Sequence, residues 1–180
     1  MSLIAERTAR RAAAAVIATA SLGVAAPQAT AADADTVTVA GVTIAADADS
    51  ASRAIAQAEP QALAQGVTLC GPGYVFTWAE RLPDSRRYGT LFMYQKGGVA
   101  SCAWFDNNMG APMYMKLKLC ENSAPAGQSP KCVTDEGRFT NYAGPVHVNE
   151  LCGNVTAIMK ASKDTKEAII DRVRTIAPCK

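Results

Sequence analysis

Met113, Met115, Leu117 and Leu119 alternate with Tyr114, Lys116, Lys118 and Cys120, which leaves one face of the segment apolar and the other polar. A period of two predicts a half-buried antiparallel strand. Leu91-Phe92-Met93-Tyr94 and residues 99–105 flank Lys96-Gly97-Gly98. Glycines there can take positive φ, so this stretch predicts a hairpin. Residues 74–80 read as a further strand, ended by Leu82-Pro83-Asp84-Ser85. Val146-His147-Val148 alternates after Gly144-Pro145, and residues 155–160 alternate again.

The final segment admits two readings. As a helix, Ile169, Ile170, Val173 and Ile176 would share a face, with Asp164 and Glu167 as a capping box. As a strand, they would pair back on residues 155–159 through the charged turn at 163–166. The strand is preferred over residues 167–176, because its neighbours are strands and Cys179 must return to a partner. Seven or so strands within residues 70–180 predict an all-β domain, a small disulfide-stapled antiparallel sandwich or barrel.

Upstream of Cys70 the pattern changes. Every aromatic residue lies between Tyr74 and Tyr142, and every cysteine between Cys70 and Cys179. Residues 32–69 are dominated by alanine and cannot build a core alone. They carry five acids and one base, whereas residues 70–180 carry fourteen bases and ten acids. This segment reads as an acidic linker or propeptide, with a mobile linker favoured and no requirement for it in folding. Its local signals are a short strand at Thr36-Val37-Thr38-Val39, then Val42-Thr43-Ile44 after a glycine. A helix is expected over residues 50–65, capped by Asp49 or Ser50 and interrupted by Pro60.

Residues 1–31 look like an address. Arg7, Arg10 and Arg11 precede an uncharged run over residues 12–26, and Ala29-Thr30-Ala31 offers small residues for cleavage after Ala31. That is the layout of a secretory signal peptide, and the apolar run is shorter than the roughly 20 residues of a spanning helix. Without it the chain holds fifteen basic and fifteen acidic residues, so it is formally neutral. A neutral surface offers no general field for nucleic acid or an anionic membrane. An exported, soluble product with oxidised cysteines is the expectation.

The six cysteines are read as structural bridges. No Cys-x-x-Cys spacing is present and His147 is the sole histidine, so neither the usual zinc spacings nor a redox pair is indicated. Cys120 and Cys132 end facing strands and should pair. Cys152 and Cys179 bracket the last hairpin, which leaves Cys70 with Cys102.

Little else announces chemistry. The alternation Val146-His147-Val148 puts His147 on a polar strand face, and no Gly-x-Ser-x-Gly accompanies it. Asp135 and Glu136 are adjacent and would face opposite ways, unlike a glycosidase pair. Asp106-Asn107-Asn108-Met109-Gly110 lacks the length and terminal Glu of a calcium loop and reads as a turn. Trp78 and Trp104 are the side chains left for recognition, since an exposed indole can stack on a sugar or anchor a protein.

Cys70-Gly71-Pro72-Gly73-Tyr74, Gly89-Thr90-Leu91, Asp135-x-Gly137-x-Phe139 and Tyr142-Ala143-Gly144-Pro145-Val146 together resemble the spore-associated protein A family of actinomycetes. The resemblance covers roughly residues 70–152. It implies a small secreted protein found with spores and aerial growth, without assigned catalytic residues. The sequence therefore predicts a secreted, non-enzymatic protein that needs no cofactor or metal and meets a cell-envelope or spore-surface component through its folded surface. The alternative is an extracellular carbohydrate- or protein-binding module, a protease inhibitor included, using Trp78, Trp104 or the loop at residues 123–130. A small hydrolase is the third class.

Overall fold

The computed structural model describes residues 37–176, all within the unit spanning residues 33–180. The expected signal peptide, Thr36 and Cys179 lie outside the described residues. In chain order the elements are β1 (Val37–Val39), β2 (Val42–Ile44), α1 (Ser50–Ala58), α2 (Pro60–Cys70), β3 (Val75–Leu82), β4 (Gly89–Lys96), β5 (Ala100–Asp106), β6 (Met113–Glu121), β7 (Cys132–Phe139), β8 (Tyr142–Val148), β9 (Gly153–Lys160) and β10 (Ile170–Ile176).

The strands form two sheets. One runs β1-β2-β3-β4-β5-β8 and the other β10-β9-β6-β7. All pairings are antiparallel except β2 with β3, where Ile44 lies beside Phe76. The Met-Lys alternation becomes β6, with Met115, Leu117 and Leu119 fully buried between the sheets. The terminal segment is a strand, β10, paired along its length with β9. Cys70–Cys102 and Cys120–Cys132 are bridged, and Cys152 is also disulfide-bonded.

The helices change the architecture from two layers to three. The strands β4 and β5 are buried almost throughout because both of their faces are covered. Leu91, Met93, Ala103 and Phe105 face the second sheet, while Phe92, Tyr94, Cys102 and Trp104 face the helices. This explains why the two segments lack a clean polar phase.

Residues 37–69 are thus part of the fold, which corrects the expectation of a mobile linker. Asp49 Oδ1 accepts from Ser52 N at 2.7 Å and caps α1, and Pro60 opens α2 where no backbone N–H is needed. Ala56 and Leu63 are fully buried against the sheet aromatics. Alanine is what lets the helices approach so closely. The large side chains of that core come from β3, β4 and β5, so composition alone made the segment look coreless.

Both seams between the sheets are tied by carboxylates. Asp135 on β7 accepts from Gly144 N on β8 at 2.6 Å. Gly144 has φ +99, and a Cβ there would meet Ala103 O at 3.0 Å, so the position demands glycine. Across the opposite seam, Glu80 on β3 holds Arg174 on β10 at 2.6 Å and Arg172 at 3.3 Å.

Candidate functional site

A cleft of about 590 Å³ opens between the start of α2, the end of β5 and the start of β8. Its floor is built by two acids from distant parts of the chain, Glu59 and Asp106. Glu59 occupies the junction of α1 and α2, fixed there because Pro60 begins a new helix. Asp106 is the last residue of β5. Thr90, at the start of β4, stands between them: its hydroxyl donates to Glu59 Oε2 at 3.2 Å and its amide N–H donates to Asp106 Oδ1.

The two acids sit in different electrostatic settings. The Glu59 side chain is only 2% exposed, and its Oε1 lies 2.8 Å from Arg81 Nε and 3.0 Å from Arg87 Nε. A carboxylate buried between two guanidiniums is compensated in place. Asp106 forms no ion pair among the described residues, although the Arg87 charge is near enough to pull against its rise. Burial is the main force on it, aided by the nearby Glu59 charge, and lifts its pKa to about 6 against the pull of the Thr90 amide. Asn108 Nδ2 donates to the same Oδ1 at 3.1 Å.

The walls are amides and aromatic edges. Gln61, Gln65, Asn107, Asn108 and Asn141 line the opening, with Tyr142 and Trp104 on the sheet side. Asn107 is itself held, donating from Nδ2 to Ala111 O at 2.8 Å and Phe139 O at 2.9 Å. Tyr142 stands edge-on to Trp104, with ring centroids 5.9 Å apart. It is half-buried, so the phenol ring is the aromatic surface a ligand can reach.

The two tryptophans do not form a joint surface. Trp104 is 1% exposed and stacks on Phe92 at 4.7 Å, so it packs the helix layer and cannot serve as an exposed stacking platform. Trp78 packs against the core on the other face of the sheet. It lines a separate cavity of about 210 Å³ with Asp47, Asp49 and Arg174. The loop at residues 123–130 is exposed throughout, and Glu150 anchors it by accepting from Ser123 Oγ at 2.8 Å and from Asn122 N at 2.9 Å.

His147 lies on the exposed side of β8, as its alternation implied. Its ring meets Tyr74 edge-on at 5.7 Å, and Nε2 lies 3.2 Å from Cys70 O. It is not among the residues lining the acid-floored cleft. Asp106 does end a strand before a turn, as expected, but its burial beside Glu59 could not be read from that turn. The one sequence signal was Glu59 itself, an acid before Pro60 in an alanine tract.

No family model, curated protein or solved structure matches the chain.

Proposed function

We propose that the protein is a secreted, non-enzymatic binding module of the cell exterior, holding a neutral polyhydroxylated ligand, a glycan segment, in the cleft between α2 and β8. The observation that carries this reading is the lining: carboxamides from three separate loops and helices around one reachable aromatic ring, over a floor in which Glu59 is already paired with Arg81 and Arg87. Amide groups both donate and accept, which suits the mixed demands of sugar hydroxyls, and an aromatic face suits the C–H side of a sugar ring. Disulfides fit an oxidising compartment, and among the described residues no helix is long and apolar enough to cross a membrane. The motifs resembling the spore-associated proteins support a role at the cell surface, with a wall or spore glycan as the partner.

A hydrolase is the second reading, favoured by the elevated acid of Asp106, which falls in the range of a general acid. The geometry weighs against it. Glu59, the other acid lining the cleft among the described residues, has its carboxylate closed off by Arg81, Arg87 and Thr90 and is not free to act as base or nucleophile.

Co-sedimentation with insoluble cell-wall glycans, followed by calorimetry with soluble oligosaccharides, tests the proposal. Binding should weaken at least about tenfold, or about 1.4 kcal/mol, in Tyr142→Ala and Asn108→Ala with the melt preserved. Equal binding by these variants, or no retention on any glycan, would overturn it. Release of reducing ends that Asp106→Asn abolishes would establish the hydrolase instead.

A further inference from the structure

Among the described residues, every carboxylate oxygen on the floor of the cleft is engaged by the protein except one. Glu59 Oε1 faces Arg81 and Arg87, and its Oε2 accepts from Thr90. Asp106 Oδ1 accepts twice, from the Thr90 amide and from Asn108 Nδ2 at 3.1 Å. Asp106 Oδ2 accepts from no group among the described residues. The residue is 8% exposed and lines the cleft, and Oδ2 keeps contact with its solvent. A carboxyl whose Oδ1 already receives two N–H donors carries its proton on Oδ2. The neutral acid therefore shows the cleft an O–H donor, and the ionised acid shows it a bare acceptor.

Resting on the glycan reading of this cleft, we propose that Asp106 selects the ligand: the neutral acid donates from Oδ2 to the acetamido carbonyl of an N-acetylated sugar, and its ionisation releases that sugar. An amide carbonyl is a stronger acceptor than the hydroxyl that replaces it in a plain hexose. The acetamido N–H meets carboxamide oxygens in the wall, where Asn108 and Asn141 stand. Its methyl suits the ring of Tyr142, which lies directly across from Asp106 in the pairing of β5 with β8.

The surroundings favour the neutral acid. Burial holds the Asp106 pKa up at about 6, and Glu59 at the junction of α1 and α2 adds to the rise. The Thr90 amide, Arg87 from the β3–β4 connection and Asn108 oppose it. On the remaining sides β8 presents the Tyr142 phenol, and α2 presents the uncharged amides of Gln61 and Gln65. A seated sugar takes the last water from Oδ2, which disfavours the charge further. A buried carboxylic acid kept neutral so that it can donate is an established device. The ionised protein must take up a proton before it binds. Affinity is therefore full at the acid side of that pKa and falls as pH rises, by about tenfold between pH 5 and pH 7.

Calorimetry on the full chain with a hexamer of N-acetylglucosamine and a hexamer of glucose, at pH 5 and pH 7, tests the inference. At pH 5 the N-acetylated hexamer should bind at least about tenfold tighter than the glucose hexamer, and it should lose about tenfold by pH 7. Asp106→Asn keeps an acceptor for the Thr90 amide and turns an N–H donor toward the cleft. This variant should bind at pH 7 as tightly as the parent does at pH 5, without pH dependence. Asp106→Ala, with its melt checked, should bind weakly at both. Affinity that is flat or rises with pH, equal binding of the two hexamers, or no binding of either at pH 5 would overturn the inference. So would an Asp106→Asn variant as weak as Asp106→Ala. The glycan reading survives those results if Tyr142→Ala still weakens retention on wall glycans, whereas no retention on any glycan overturns both.

Discussion

Gly66 on α2 lies directly over Tyr94 on β4: a Cβ added at Gly66 would come within 2.2 Å of the phenol oxygen and 2.5 Å of Trp104 Nε1. The same phenol donates to Leu63 O at 2.7 Å, so helix and sheet are in contact through backbone as well as side chain. Gly66→Ala should therefore destabilise the protein by about 1–3 kcal/mol through overpacking, although alanine is the better helix former. Chemical denaturation of the pure variant reads this directly. An unchanged or raised midpoint would mean that α2 does not sit so close.

A chain beginning at Gln65 lacks β1, β2 and α1 and bares Phe92, Tyr94 and Trp104. It should lose the cooperative melt of the longer chain and bind a hydrophobic dye. Melting the two chains side by side checks this. Coincident transitions would restore the linker reading of residues 32–69.

Glu59→Ala should cost roughly 1–3 kcal/mol. The figure stays well below that of a fully buried ion pair, because Arg81 and Arg87 keep 35% and 39% of their side chains exposed and can turn to water. Glu59→Gln should recover part of the loss by keeping the Thr90 hydrogen bond. Urea melts of the three proteins give the comparison.

Asp106 predicts a pH dependence of unusual direction. An unfolded aspartate releases its proton near 3.8, whereas the folded chain holds it to about 6. Between those values the folded state binds more protons, so this residue's contribution to stability is full at the acid end and falls as pH rises. Asp106→Asn should remove that slope. The difference between the two proteins should widen from near zero at pH 4 to at most about 2 kcal/mol at pH 7, in favour of the variant. Denaturation series across this range would show it, and parallel curves would refute it.

The second sheet was legible in the sequence because one side of each strand meets solvent and the alternation survives: β6 and β9 read cleanly, and so did the bridging of Cys120 to Cys132. The helix layer was legible only as local structure. Asp49 and Pro60 marked its ends, yet nothing local says that alanines will pack on aromatics thirty residues away. The site was less visible still. Glu59 and Asp106 are brought together by Thr90 through contacts that join distant parts of the chain, and an acid's burial is not written in its neighbours. Trp104 misled for the opposite reason, since β5 is covered on both faces and its alternation no longer separates inside from outside.

The parallel pairing of β2 with β3, reached by way of α1 and α2, also sets an order of events during synthesis. The chain is made from its amino end, so both helical segments are made before the strands whose aromatic face they conceal. When β4 and β5 emerge, their cover is already waiting some thirty residues behind, at a modest loop-closure cost. A circular permutant with residues 37–70 moved behind β10 would have the same contacts but the reverse schedule. Its nascent sheet would stand bare through the making of five more strands, a window in which molecules can stick to one another rather than fold.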